Sequence, residues 1–264
     1  MIRLILSTAV ALLATVGSVL ADDQPLTFDA KSVGGPNSGA SFELWRPAGP
    51  GPFPAMLVLH GCGGVGANQR SWAARLNGWG YVAVVLDSFR PRNVKSVCNV
   101  GGIAPRLRAQ DAFNAAIYLR TLPDIQADRI GTIGFSHGGS TVLETVLERA
   151  VPVDRGGKPF RVGVAYYPGC GANPPFQQPA TDLLILIGKD DDWSSAVNCQ
   201  KMVAGKAGMT HAPSIKVYPG AVHGFDGGGL PTWSHDHMVG GNAEAAADSF
   251  VMTQTFLEAH LKAR

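Results

Sequence analysis

Three short stretches of this chain carry residue types that together can perform nucleophilic acyl chemistry. The first is Gly134-Phe135-Ser136-His137-Gly138, a Gly-x-Ser-x-Gly pattern set between the apolar run ending at Ile133 and a helix-compatible stretch, Ser140–Leu147. A serine in so sharp a strand-to-helix turn is pushed out of the sheet, with its hydroxyl at the N-terminal end of the next helix. There, free amides and the helix dipole favour negative charge. The second stretch is Gly188-Lys189-Asp190-Asp191-Asp192, and the third is Pro219 to Phe225, which contains His223. A hydroxyl, a carboxylate and an imidazole in that chain order suit a nucleophile, an orienting acid and a general base.

Each candidate has a distinct task. Ser136 attacks, His223 takes and returns its proton, and Asp191 holds the imidazole, with Asp192 as second choice for that acid. A developing oxyanion needs two donors. The amide of His137 supplies one, and the glycine-rich His60-Gly61-Cys62-Gly63-Gly64 loop the other. Cys62 is the assigned donor there, with Gly63 its rival. Cys62 is not read as a nucleophile, because it lacks the elbow setting. The His137 side chain is expected to pack or hydrogen-bond locally.

The elements that must position these residues follow from hydrophobic patterning. Ser41–Trp45 alternates like an antiparallel edge strand. Ala55–Leu59, Tyr81–Leu86, Val162–Tyr167 and Leu183–Ile187 are continuous apolar runs, as buried parallel strands require. Ile215–Tyr218 reads as the last strand. Helices are expected over Arg70–Trp79, Arg106–Leu119 and Ala243–Leu261, the second with Leu107, Ala109, Phe113 and Ala116 near one face. Strands alternating with helices predict a mostly parallel sheet covered on both faces. Chemistry in such sheets gathers beyond the carboxyl ends of the strands, where all the candidates fall. The segment 224–242 reads as a long irregular flap beside the site. Trp72 and Trp79 are expected to pack their helix on the sheet, and Tyr166 and Tyr167 to be core. His235-Asp236-His237 reads as a polar loop rather than as metal ligands.

Composition narrows the rest. The chain has 264 residues, of which 45% are hydrophobic and 16% charged, with a formal net charge of +2. That length accommodates one large α/β core, and no basic run suggests nucleic acid. Arg3 followed by the apolar Leu4–Val16 and by Val19-Leu20-Ala21 reads as a secretory signal peptide cut after Ala21, leaving residues 22–264 as the mature domain. A periplasmic or secreted protein without a membrane anchor is the expectation. The four cysteines then favour disulfides. Cys62 and Cys98 follow adjacent strands, and Cys170 and Cys199 follow later ones. Loops at one end of neighbouring strands are close, which favours Cys62–Cys98 and Cys170–Cys199. No Cys or His pair has zinc-like spacing, so neither metal nor cofactor is expected.

With these residues in view, the chain resembles the dienelactone hydrolase family of α/β hydrolases. His60–Gly64, Asp87-Ser88-Phe89-Arg90-Pro91-Arg92, Gly134–Gly139, Gly188–Trp193 and His223-Gly224-Phe225 carry the resemblance, over nearly all of the chain after residue 21. It implies an α/β-hydrolase fold without a large cap and a nucleophile–His–Asp triad. The family's acidic motif, Gly-x-x-Asp-x-x-x-Pro, matches Asp191, with Ser195 in the proline's place. Two departures stand out. Founding members use a cysteine nucleophile where this chain has Ser136, and they carry a substrate-binding arginine soon after the histidine, where this chain has Asp226 and Gly227. Arg90 or Arg92 can supply positive charge to a substrate instead, and Trp193 can wall the acyl pocket.

The sequence therefore points to a serine hydrolase of small carboxylic esters or lactones, working through an acyl-enzyme. A peptidase or thioesterase on the same triad is the alternative within the enzyme class. A non-catalytic exported binding protein on a hydrolase scaffold is the alternative outside it.

Overall fold

The computed structural model describes residues 26–28, 40–99, 101–171 and 179–262. The proposed signal peptide lies outside these residues. An eight-stranded sheet organises the chain. Its strands are β1 (Leu26–Phe28), β2 (Ser41–Trp45), β3 (Phe53–Leu59), β4 (Val82–Asp87), β5 (Ile125–Phe135), β6 (Val162–Tyr166), β7 (Asp182–Gly188) and β8 (Ser214–Tyr218). The spatial order is β1-β2-β4-β3-β5-β6-β7-β8. The first two strands are antiparallel to their neighbours, and every pairing from β4 to β8 is parallel. This is the α/β-hydrolase fold expected from the alternation of apolar runs and helical stretches. One detail differs: β2 is not an edge strand, because β1 covers its outer side.

The apolar runs become the centre of the core. Every residue of β4 and β6, and all but the first of β3 and β7, is buried. Among the described residues five α-helices complete the frame: α1 (Ala67–Gly78), α2 (Pro105–Leu119), α3 (His137–Thr145), α4 (Ala196–Val203) and α5 (Ala243–Leu257), the last continuing into a π-turn over Glu258–Lys262. Trp72 of α1 is buried against Phe135, Tyr166 and Phe250. In α2 the apolar face is shifted from the expected one. Leu107 is 40% exposed, and the neighbouring Arg108 points inward instead.

The segment 224–242 also differs from an irregular flap. It contains a hairpin of β9 (Thr232–Ser234) and β10 (His237–Val239), turned by His235 and Asp236, both at positive φ. Val239 forms a bridge with His223, the Gly240 amide donates to the His223 carbonyl, and the Asn242 amide donates to the Phe225 carbonyl. Among the described residues no helix is long and apolar enough to cross a membrane.

The described cysteines are all paired, Cys62 with Cys98 and Cys170 with Cys199. The first bond ties the loop after β3 to the loop after β4. The second ties the loop after β6 to α4. Closing loops of a few dozen residues should contribute about 2–4 kcal/mol each. We therefore expect Cys170→Ala/Cys199→Ala to lower unfolding free energy in guanidinium by that amount. Unfolded, unreduced protein should give no signal in a thiol titration; four titratable thiols would be incompatible with these bonds.

Candidate functional site

Ser136 occupies the turn between β5 and α3 at φ 55° and ψ −116°, a conformation non-glycine residues rarely adopt. The turn closes only because its neighbours lack side chains. A Cβ on Gly134 would lie 2.2 Å from the Gly138 carbonyl oxygen, and one on Gly138 would lie 2.1 Å from that of Leu59. The elbow is thus wedged against the end of β3. A Cβ on Gly61 would stand 3.8 Å from that of Ser136, so the loop after β3 runs directly past the serine.

The structure brings Ser136, His223 and Asp191 into one chain of hydrogen bonds. His223 Nε2 is 2.9 Å from Ser136 Oγ, and His223 Nδ1 is 2.9 Å from Asp191 Oδ2. The other carboxylate oxygen, Oδ1, accepts the amides of Trp193 and Ser194 at 3.0 and 2.7 Å. Asp191 is therefore held as an acceptor on both sides, with Nδ1–H of His223 as the donor that fits the geometry. His223 and Asp191 are both buried, while Ser136 is partly open. Asp192 turns the other way. Its carboxylate accepts the Met238 amide at 3.2 Å and faces His237 Nδ1 at 3.5 Å, so it belongs to the hairpin.

The His223 ring is held between two aromatic side chains, Tyr167 at 4.7 Å and Trp193 at 4.9 Å between centroids. Trp193 in turn stacks on His237 at 4.6 Å. Tyr167 is more than core filling. Its hydroxyl donates to the buried Asp226 at 2.6 Å, and Trp72 Nε1 donates to the same carboxylate at 2.7 Å. Burial and the Asp226 charge push the Tyr167 hydroxyl well above its usual pKa, so it remains a donor. Asp226 stands where the resemblance anticipates a binding arginine; here the position looks inward and secures a ring that packs on His223. The only sequence signal was that departure.

The loop after β3 is fixed by buried polar groups. The Ser88 amide donates to His60 Nε2 at 3.3 Å, which leaves Nδ1 to donate to the Gly61 carbonyl at 2.7 Å. The Gly61 carbonyl and the Cys62 amide share one peptide plane and point in opposite directions. Holding one therefore sets the other. The Cys62 carbonyl accepts the Val97 amide, and the disulfide to Cys98 clamps the same turn. Arg108, buried in α2, donates to the His60 carbonyl at 2.8 Å and to His137 Nδ1 at 2.7 Å. The His137 side chain, expected to bond locally, thus reaches a residue in another helix. Arg108 went unread in the sequence, although it lies in helical phase with the buried Asp111, Ala112 and Ala115.

The two arginines expected to bind substrate are engaged by protein. Arg92 makes a two-pronged pair with Asp111 at 2.8 Å on each side and also donates to the Ser88 carbonyl. Arg90 contacts Asp87 at 3.1 Å, but its side chain remains 69% exposed. With Gly63, Asp87, Phe89 and Lys95 it lines an open cleft of about 580 Å³. Among the described residues no group of His, Cys, Asp or Glu side chains forms a metal site.

Comparison with known proteins fits this arrangement. The dienelactone hydrolase family model matches residues 43–261. The chain belongs to the dienelactone hydrolase family. Membership makes it a hydrolase. It is 24% identical to a protein of Synechocystis named as a carboxymethylenebutenolidase, across 83% of this chain and 91% of that one. It is also 26% identical to mouse acyl-coenzyme A thioesterase 5, of whose length it spans 62%. Among solved structures, the fold is shared with MGS-M1, an α/β hydrolase from a deep-sea metagenome, at a TM-score of 0.68 and 17% identity over 91% of this chain and 100% of that one. The propionate-bound esterase 2 of Thermogutta terrifontis gives a TM-score of 0.67 at 15% identity over 91% and 97%.

Two histidines make this region acid-sensitive. Burial and the Arg108 charge hold His60 down at about 3 and His137 at about 4. In the unfolded chain both titrate near 6.5. Below about pH 6.5 the unfolded state therefore binds protons that the folded state refuses, and stability falls toward pH 4. Each ring contributes a slope of up to about 1.4 kcal/mol per pH unit. Urea unfolding at pH 7, 6 and 5 should show this loss, and His137→Gln should remove about half of these histidines' slope. A stability unchanged between pH 7 and 5 would contradict the assignment.

Proposed function

We propose that this family member is an exported serine hydrolase of small carboxylic esters and lactones. The observation that carries the reading is the unbroken hydrogen-bonded series Ser136–His223–Asp191 at the carboxyl ends of β5, β8 and β7. In this reading His223 Nε2 takes the Ser136 proton as Oγ attacks the substrate carbonyl carbon. The tetrahedral oxyanion is received by the amides of His137 and Cys62. The imidazolium, steadied by Asp191, then protonates the departing alkoxide, leaving an acyl-serine. Water activated by the same histidine releases the acid. Every step uses groups of the chain itself, so the reaction requires no cofactor or metal.

A serine nucleophile suits ordinary esters, whose leaving group is an alkoxide. The open cleft beside Gly63, with Arg90 and Lys95 on its wall, suits a leaving group or acyl chain that carries an acidic function. Trp193, packed on the His223 ring, is in this reading the wall of the acyl pocket. Two disulfides fit an oxidising compartment, and we assign the protein to the periplasm or the extracellular space, with residues 1–21 as its signal peptide. No nucleic-acid or membrane partner enters this reading.

Hydrolysis of a p-nitrophenyl ester series from acetate to long chains tests it, with acyl thioesters alongside. Ser136→Ala and His223→Ala should each lower kcat by about 10⁴-fold or more while the melting curve stays near that of wild type. Asp191→Asn should cost about 10⁴-fold. Full turnover in folded Ser136→Ala would rule out the serine mechanism. A wild-type protein that neither turns over an ester nor reacts with a fluorophosphonate would instead be a binding protein.

A further inference from the structure

The most unusual group outside the proposed triad is the guanidinium of Arg108. It is buried, with 1% of its surface exposed, and no ion pair among the described residues includes it. The nearby carboxylates of Asp111 and Asp87 attract it and Arg92 repels it, but Asp111 is bound two-pronged by Arg92, and Asp87 is held by Arg90. Among the described residues its Nε has no hydrogen-bond partner. Phe89 faces it at 5.1 Å. A buried cation in this state lowers stability relative to an apolar side chain of similar volume. What it does engage is informative. Nη2 grips the carbonyl of His60, which opens the loop after β3, and Nη1 grips the side chain of His137, which opens α3. His137 is fixed from its other side by the Ile103 backbone.

We propose that Arg108 is the positioning residue of the oxyanion hole, joining its two halves through one rigid fork. The inference rests on the serine-hydrolase reading above. The two amides assigned to the hole, those of Cys62 and His137, come from segments with no sequence proximity. They stabilise an oxyanion only when both aim at one point within a fraction of an ångström. A planar guanidinium with donors in fixed directions sets the distance between the segments in a way that a lysine, with one flexible ammonium, does not. Arg108 touches no reacting atom; it acts through His60 and His137.

The test compares Arg108→Met, Arg108→Lys, His137→Ala and His137→Gln with wild type and Ser136→Ala. Three quantities are read: kcat and KM on a short p-nitrophenyl ester, the inhibition constant of a trifluoromethyl ketone that adds to Ser136 as a tetrahedral oxyanion, and thermal unfolding. Arg108→Met should lower kcat about 100-fold with KM nearly unchanged, and should weaken the ketone by a similar factor. Arg108→Lys, which reaches one acceptor at a time, should fall between Met and wild type. His137→Ala should lose about tenfold, and His137→Gln, which restores an acceptor, should regain part of it. Where no ester is turned over, the rate of fluorophosphonate labelling gives the same comparison.

A folded Arg108→Met with kcat and ketone affinity within about threefold of wild type would overturn the proposal, as would a loss confined to KM. If Arg108→Met does not fold, His137→Ala decides, and unchanged kcat and ketone affinity in that variant would overturn it equally. Turnover that survives Ser136→Ala would remove the hydrolase mechanism and this proposal together. Turnover lost in Ser136→Ala but kept in folded Arg108→Met would remove this proposal alone.

Discussion

The contact on which the rest depends is the wedge of the elbow against the end of β3. Ser136 holds a left-handed backbone angle only because Gly134 and Gly138 leave no side chain in the way. Any β-carbon at Gly138 would meet the carbonyls of Leu59 and His60, so the first turn of α3 packs directly on the end of β3. That closeness sets the serine hydroxyl, the start of α3 and the loop after β3 by a single steric condition. Strain of this kind persists only where the surroundings over-determine it. Here the surroundings are the buried core of a parallel sheet.

Around this wedge the remaining residues form two supporting shells of different character. On one side stand polar groups that bond one another: His60, Arg108, His137 and the Cys62–Cys98 bond fix the loop after β3 and the start of α3. On the other stand aromatic rings: Tyr167 and Trp193 confine the imidazole of His223, and Asp226 and His237 confine those rings. Such interlocking trades stability for geometry, since several of these groups are costly to bury. The molecule tolerates the cost because the apolar sheet behind them is large and nearly fully buried.

The sheet, the elbow and the three residues of the hydrogen-bonded series were legible in the sequence because each rests on a strong local rule. Buried parallel strands are continuous apolar runs, and the residues that follow them gather at one end. What the sequence concealed has physical reasons. β1 is three residues long, too short for any period to register, so β2 read as an edge. The β9–β10 hairpin turns through His235 and Asp236, at positive φ without the glycine or asparagine of the favoured two-residue turns, so the sequence showed a polar loop and not the hairpin. Arg108 carried no signal of its own because charge ordinarily marks the outer face of a helix; its partners are a carbonyl and an imidazole far away in the chain. Asp226 was visible only as a departure from the family's pattern, with nothing local to reveal the tyrosine and tryptophan that bond it.

The hairpin offers a last consequence. Val239 bridges to His223, and the Gly240 amide hangs from the His223 carbonyl, so the strand that borders the site shares its backbone with the residue that must stay in register with Ser136. A loop built this way is tied at its far end to the His223 segment. Leu230 and Trp233, 85% and 66% exposed, bury little surface there. Exchange of these side chains would change the outward face of the hairpin while the hydrogen bonds that tie it to the His223 segment stay in place.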